Sequence, residues 1–191
     1  GQEVGEALVS ESQVRGWDFE GTGVCAVTFD ELSTAKERTD GAIEALMGSG
    51  FPGDRIFRAP QRTTDQPGAF NAVNTLLTRH PEIQRWLVCG VNDSAVMGAV
   101  RALEGRGFNS DNVIGIGING TDCIIEFERE SRTGFFASML LTPRRHGFET
   151  AEMVYRWVKD GLEPSLDTRT SGLLIHRKNY QLILREQGLA E

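Results

Sequence analysis

No stretch of apolar residues in this chain is long enough to cross a bilayer. The longest nearly unbroken run, 134 to 141, falls far short of the roughly 20 residues a membrane helix needs. Cysteine is sparse: Cys25, Cys89 and Cys123 are odd in number and far apart, so they outline neither a disulfide framework nor a metal-ligand set. His80, His146 and His176 form no ligand pair, and neither a metal nor any other cofactor is expected. Basic residues are the minority, 20 Lys and Arg against 27 Asp and Glu, for a net charge of −7. Phosphate binding needs clustered cations, so no nucleic-acid partner is expected. Arg144-Arg145-His146 comes nearest to a basic run, but Glu149 and Glu152 soon offset it, and it reads as the solvated start of a helix. No secretory leader is visible at the N-terminus.

What is present is an ordinary globular composition, 191 residues with 39% hydrophobic and 25% charged, enough to bury a real core. Short apolar runs alternate with helical spacings. Strands are expected at 23–29, 55–59, 86–91, 113–118, 134–141 and 172–175. Between them lie helical stripes: Ala35, Ala42, Ile43, Leu46 and Met47; Phe70, Val73, Leu76 and Leu77; and Val96, Ala99, Val100 and Leu103. A helix at about 122–128, a strong one from Pro143 to Lys159 and a last one at 179–187 complete the series. Thr34 and Glu37 have the spacing of a capping box, and Asn92-Asp93-Ser94 offers N-cap chemistry. Cys25 and Cys89 sit in strands as small buried hydrophobes. Strands apolar at nearly every position, alternating with helices, predict an α/β fold with a doubly wound open parallel sheet covered on both faces. Such sheets bind ligands outside the carboxyl ends of their strands. The informative residues are therefore 30–38, 91–94, 119–122 and those near Thr142.

Gly115-Ile116-Gly117-Ile118-Asn119-Gly120 spells the dinucleotide fingerprint, but two of its glycines fall inside the apolar run and no acid follows between 134 and 147. Close packing explains them better. No nucleophile, base and orienting group stand at recognisable spacing, so catalysis is not expected. Arg38 lies one turn beyond Thr34, on the face nearest the first strand's carboxyl end.

FDELSTAKERTDGAIEAL (29–46), FPGDRIFRAPQRTTDQPGAFNAVNTLLTRHPEIQRWLVCGVNDSAVMGAVRALEGRGF (51–108), DNVIGIGINGTD (111–122), GFFASMLLTPRRHG (134–147) and the stretch 179–188 resemble the bacterial periplasmic L-arabinose-binding proteins, within the type I periplasmic sugar-binding family. The resemblance implies one lobe of a two-lobe fold, in a non-catalytic receptor that hands a pentose or hexose to the membrane permease of an ABC importer. It implies a periplasmic location. Arg38 takes the position of an arginine on the sugar ring, and Asn92 and Asn119 those of two asparagines that bind hydroxyls. Asp122, Thr34 and Leu32 match positions that line or support the pocket. Val91 departs from the family, standing where a methionine lies beside the sugar. Hydroxyls both donate and accept, as an Asn amide can, while Arg adds a planar fork of donors.

The resemblance divides the chain into 1–142, the second, sugar-binding lobe; 143–170, a segment returning to a first lobe; and 171–191, which rejoins the second. It places the stacking aromatic in that first lobe, and Trp17, Trp86 and Trp157 are expected to be core instead. The helix 143–159 carries a stripe of Phe148, Ala151, Val154, Tyr155 and Val158 that would lie on the first lobe or pair with another chain. A lac-repressor-type sugar-sensing regulator shares the lobe and is the alternative.

Overall fold

Thr22–Thr28 (β1) is buried at every position, as a strand between two neighbours and under two layers of helix must be. The computed structural model describes residues 1–166, 168 and 171–190. The order is α1 (Gln2–Val14), β1, α2 (Ser33–Gly48), β2 (Ile56–Pro60), α3 (Gln66–Arg79), β3 (Arg85–Gly90) and α4 (Asp93–Glu104). It continues with β4 (Val113–Asn119), α5 (Ile124–Glu128), β5 (Phe135–Leu140), α6 (Pro143–Asp160), β6 (Leu173–His176) and α7 (Tyr180–Glu186). The six strands form one sheet in the order β2-β1-β3-β4-β5-β6. The sequence reading contained no α1; its buried face is Val4, Leu8 and Val9.

Each face of the sheet has its own core. Val4, Leu8, Ala42, Leu46, Leu87 and Ile114 pack on the α1–α2 side. On the α3–α4 side are Val73, Leu77, Trp86, Val88, Val96 and Leu103. Three deviations from the expected stripes are small. Met47 and Phe70 stand at the margins of their helices and are exposed, and Trp157 is about half exposed rather than core. Trp86 is fully buried and Trp17 half-buried. The capping box does not form, because α2 begins at Ser33 with Leu32 as N-cap, so Thr34 is already inside the helix. Asp65 and Asn92 do cap, accepting from Gly68 N and Ala95 N, each at 2.8 Å.

Five strands are parallel, as the alternation requires, while β6 runs antiparallel to β5. The reason lies in α6. A crossover helix that packs on the sheet carries the chain back to the strands' amino pole. None of α6's residues is buried, so it makes no such return, and the chain re-enters the sheet at the carboxyl pole it left. The segment expected to belong to another lobe thus leaves and rejoins the sheet at one end. Its residues 167, 169 and 170 lie outside the described residues.

Candidate functional site

In this strand order the chain winds outward in opposite directions from β1 and β3, and the crevice at such a switch point is where open α/β sheets take ligands. Arg38 reaches it from α2. Its Nη1 donates to the Val91 carbonyl at 2.8 Å, just after β3, and to Asn119 Oδ1 at 3.2 Å, the last residue of β4. Residues 53 and 81 positions from Arg38 in sequence thus meet on one guanidinium. Both hydrogen bonds use Nη1 alone, which leaves Nε and Nη2 as donors for a ligand. Arg38 is half-buried; burial pulls its pKa below the ordinary arginine value, and the charge of Asp93 opposes that shift.

Asn119 has φ 117°, and Gly120 follows with φ 81°. Two successive left-handed residues turn the chain sharply off β4, and Asn tolerates that region better than most residues. Gly120 cannot be larger, since a Cβ there would stand 2.6 Å from Leu140 Cα. Asn92 is engaged at both ends of its amide. Oδ1 caps α4 while Nδ2 donates to Thr64 O at 3.0 Å, which leaves one N–H to offer. Val91 contributes its carbonyl; its side chain is buried. Asp122 is exposed and accepts from Ser94 Oγ at 3.1 Å. Leu32, the N-cap, and Thr34, one turn before Arg38, are both exposed at the start of α2. The structure therefore joins Arg38, Val91 and Asn119 directly. It sets Asn92 beside them along the chain, ties Asp122 to α4, and leaves Leu32 and Thr34 at the rim.

Sequence reasoning missed Asp93. As the first residue of α4 it is fully buried, an acid where the helix N-terminus favours negative charge. Its Oδ2 accepts from Gly120 N at 3.0 Å, and Oδ1 accepts from the Ser138 hydroxyl on β5. Burial raises its pKa to about 6 against the pull of these donors. Asp93 also explains a glycine of the false fingerprint, because a Cβ on Gly117 would meet its Oδ1 at 2.3 Å. Close packing is what those glycines serve: at Gly115 a Cβ would lie 2.9 Å from Val96. The only sequence signal for Asp93 was its place in a cap tripeptide.

A separate cavity of about 700 Å³ lies at the amino pole, between Trp17, Phe136, Arg15 and Arg177. It is remote from Arg38, and Arg15 and Arg177 are occupied with Glu11 and with backbone carbonyls.

The sequence profile of the family described as periplasmic binding proteins and sugar binding domain of LacI family matches residues 1–182. The chain is 45% identical over 190 residues to the L-arabinose-binding periplasmic protein of Escherichia coli K12, covering 99% of this chain and 58% of that protein. It is 42% identical, over 99% of this chain and 57% of the other, to the ABC transporter L-arabinose-binding periplasmic protein of Azospirillum brasilense. It therefore spans somewhat over half the length of these relatives. The fold matches that of the arabinose ABC transporter's periplasmic binding protein component from Shewanella sp. ANA-3, with a TM-score of 0.71 at 13% identity over 97% of this chain and 59% of that one. The periplasmic ribose ABC transporter structure from Conexibacter woesei gives 0.72 at 14%, over 97% and 61%. With that profile match and that identity, the chain belongs to the periplasmic binding proteins and LacI-type sugar-binding domains.

Proposed function

We propose that this chain forms the sugar-facing lobe of a non-catalytic periplasmic receptor that delivers a neutral monosaccharide, L-arabinose or D-galactose, to the permease of an ABC importer. One observation carries the reading: Arg38, Val91 and Asn119 converge on the switch-point crevice while leaving Arg38 Nε and Nη2, the Asn119 amide nitrogen and one Asn92 N–H as donors. Donors spread across one crevice suit vicinal hydroxyls, which accept as well as donate. Asp122, Thr34 and Leu32 would form the rim.

The remaining half of the cleft is assigned to a first lobe, to which 143–170 would belong, with 1–142 and 171–191 making up the second. Two observations support this division: the excursion leaves and re-enters the sheet at the pole where the site lies, and α6 has no buried residue. Phe148, Val154, Tyr155 and Val158 are 51–82% exposed, a stripe suited to packing on that lobe or, in its absence, on another chain. A sugar bridging both lobes would favour the closed state, which the permease would recognise. The family description also covers regulators of the lac-repressor type; the two relatives above 40% identity, both named as arabinose-binding periplasmic proteins, favour the receptor.

Titration calorimetry of the full-length protein tests the reading. L-arabinose or D-galactose should bind, and Arg38→Ala or Asn92→Ala should each weaken binding by about 1–3 kcal/mol, through polar groups left buried and unpaired. Wild-type affinity in both variants would reject the site. Binding of an amino acid or nucleotide in place of every aldose would reject the receptor.

A further inference from the structure

Asp93 is buried, touches no solvent and lies behind the site. A buried carboxylate without a catalytic task is costly unless its hydrogen bonds hold something in place. Its two oxygens tie the turn after β4 to the interior of β5. Oδ2 holds the Gly120 amide of the turn that begins at Asn119, and Oδ1 holds Ser138 of β5. The turn orients the Asn119 side chain, whose oxygen receives Arg38. Asp93 also acts on Arg38 through space, its charge opposing the loss of the guanidinium's proton.

We propose that ionised Asp93 is the positioning residue of the sugar site, holding the Asn119–Gly120 turn and Arg38 in the geometry that binds ligand, so that its protonation in mild acid weakens binding. The inference rests on the sugar-binding reading of the same site. A protonated carboxyl loses an acceptor position and its attraction for Arg38; of the two groups bonded to it the Gly120 amide can only donate, so the Ser138 hydroxyl would have to turn from donor to acceptor to receive the new O–H. The groups facing Asp93 are Arg38 from α2, and Asp122 and Cys123 from the β4–α5 connection; β5 presents the neutral Ser138. Burial, with a smaller push from the neighbouring charge of Asp122, brings the pKa of Asp93 to about 6, inside the range from pH 5 to 7.5, whereas burial raises that of the Cys123 thiol far above it. Ligand that prefers the ionised form must, by linkage, lower that pKa on binding.

The test is the affinity of the full-length protein for L-arabinose and D-galactose from pH 5 to 7.5, for wild type, Asp93→Asn and Ser138→Ala. With one proton linked, wild-type affinity should fall by about fivefold to tenfold at pH 5 relative to pH 7.5. In Asp93→Asn the affinity should be low throughout and flat with pH. Ser138→Ala removes a donor to the carboxylate and should move the midpoint of the wild-type profile to higher pH. A pH-independent wild type, or an Asp93→Asn profile that still falls like wild type and so belongs to a histidine, overturns the proposal. Should Asp93→Asn fail to fold, the Ser138→Ala midpoint decides: an unmoved midpoint overturns it. No sugar binding by wild type at any pH would instead remove the functional reading beneath it.

Discussion

The lobe built on the sheet and the helix that leaves it obey the same sequence rules with opposite results. Helix α4 has Val96, Ala99, Val100 and Leu103 at helical spacing, and all four are fully buried. Helix α6 has Phe148, Ala151, Val154, Tyr155 and Val158 at helical spacing, and none is buried. An apolar stripe therefore tells that a helix needs a partner surface, and the chain's topology decides whether the chain itself provides one. For α4 the β3–β4 crossover provides it. For α6 the chain turns away from the sheet and returns antiparallel.

The widest test of this contrast is core truncation. Trp86→Ala, emptying a fully buried site beneath α3 and α4, should cost about 3–5 kcal/mol in urea unfolding. Val158→Ala, at a position 82% exposed, should cost under about 0.5 kcal/mol. A large loss at Val158 would mean that α6 folds onto its own lobe. Sedimentation sharpens the point, since self-association of the 191-residue chain through α6 should be abolished by Phe148→Glu.

Next in size is the pH dependence of stability. Asp93's folded pKa of about 6 lies above the 3.8 of an unperturbed Asp. The folded state then binds more protons than the unfolded one between those values, so Asp93's contribution makes the protein more stable as pH falls from 7 toward 4. The full effect is of order 3 kcal/mol. Comparing wild type with Asp93→Asn isolates it, and no pH-dependent difference between the two would contradict the burial argument. Smaller again are the caps. Asp65→Ala should cost about 1 kcal/mol, because its carboxylate accepts from Gly68 N. Thr34→Ala should cost almost nothing, since its capping box does not form. On α6, breaking the exposed Arg145–Glu149 or Arg156–Glu152 pair should cost less than about 0.5 kcal/mol in thermal unfolding.

Much of the fold was legible because period and strand hydrophobicity are local properties. Five parallel strands, the importance of the segments at their carboxyl ends and the Asn92 cap all follow from them, whereas the strand order that sets the switch point does not. The direction of β6 was not legible, being set by where α6 fails to pack. Within the site, Arg38 stood out by residue type and position, and Asn119 through the family resemblance. Their direct bond did not, because it joins residues 81 apart. Asp93 was hidden for a related reason. An acid at a helix start is ordinarily explained by the helix dipole, and its burial becomes visible only once Gly120 and Ser138 are brought to it from two other strands.

The central claim is that sugar lies on the crevice at the carboxyl ends of β1, β3 and β4. Under the proposed division the 191-residue chain would supply one face of the cleft, so millimolar or weaker affinity is expected of it, within reach of NMR titration. Adding L-arabinose to the isotopically labelled 191-residue chain should shift the amides of Asn92, Asn119 and Gly120 and the Arg38 Nε–H signal, with the amino-pole cavity around Trp17 and Phe136 unmoved. Shifts confined to that cavity, or micromolar affinity with Arg38 and Asn119 undisturbed, would contradict the account.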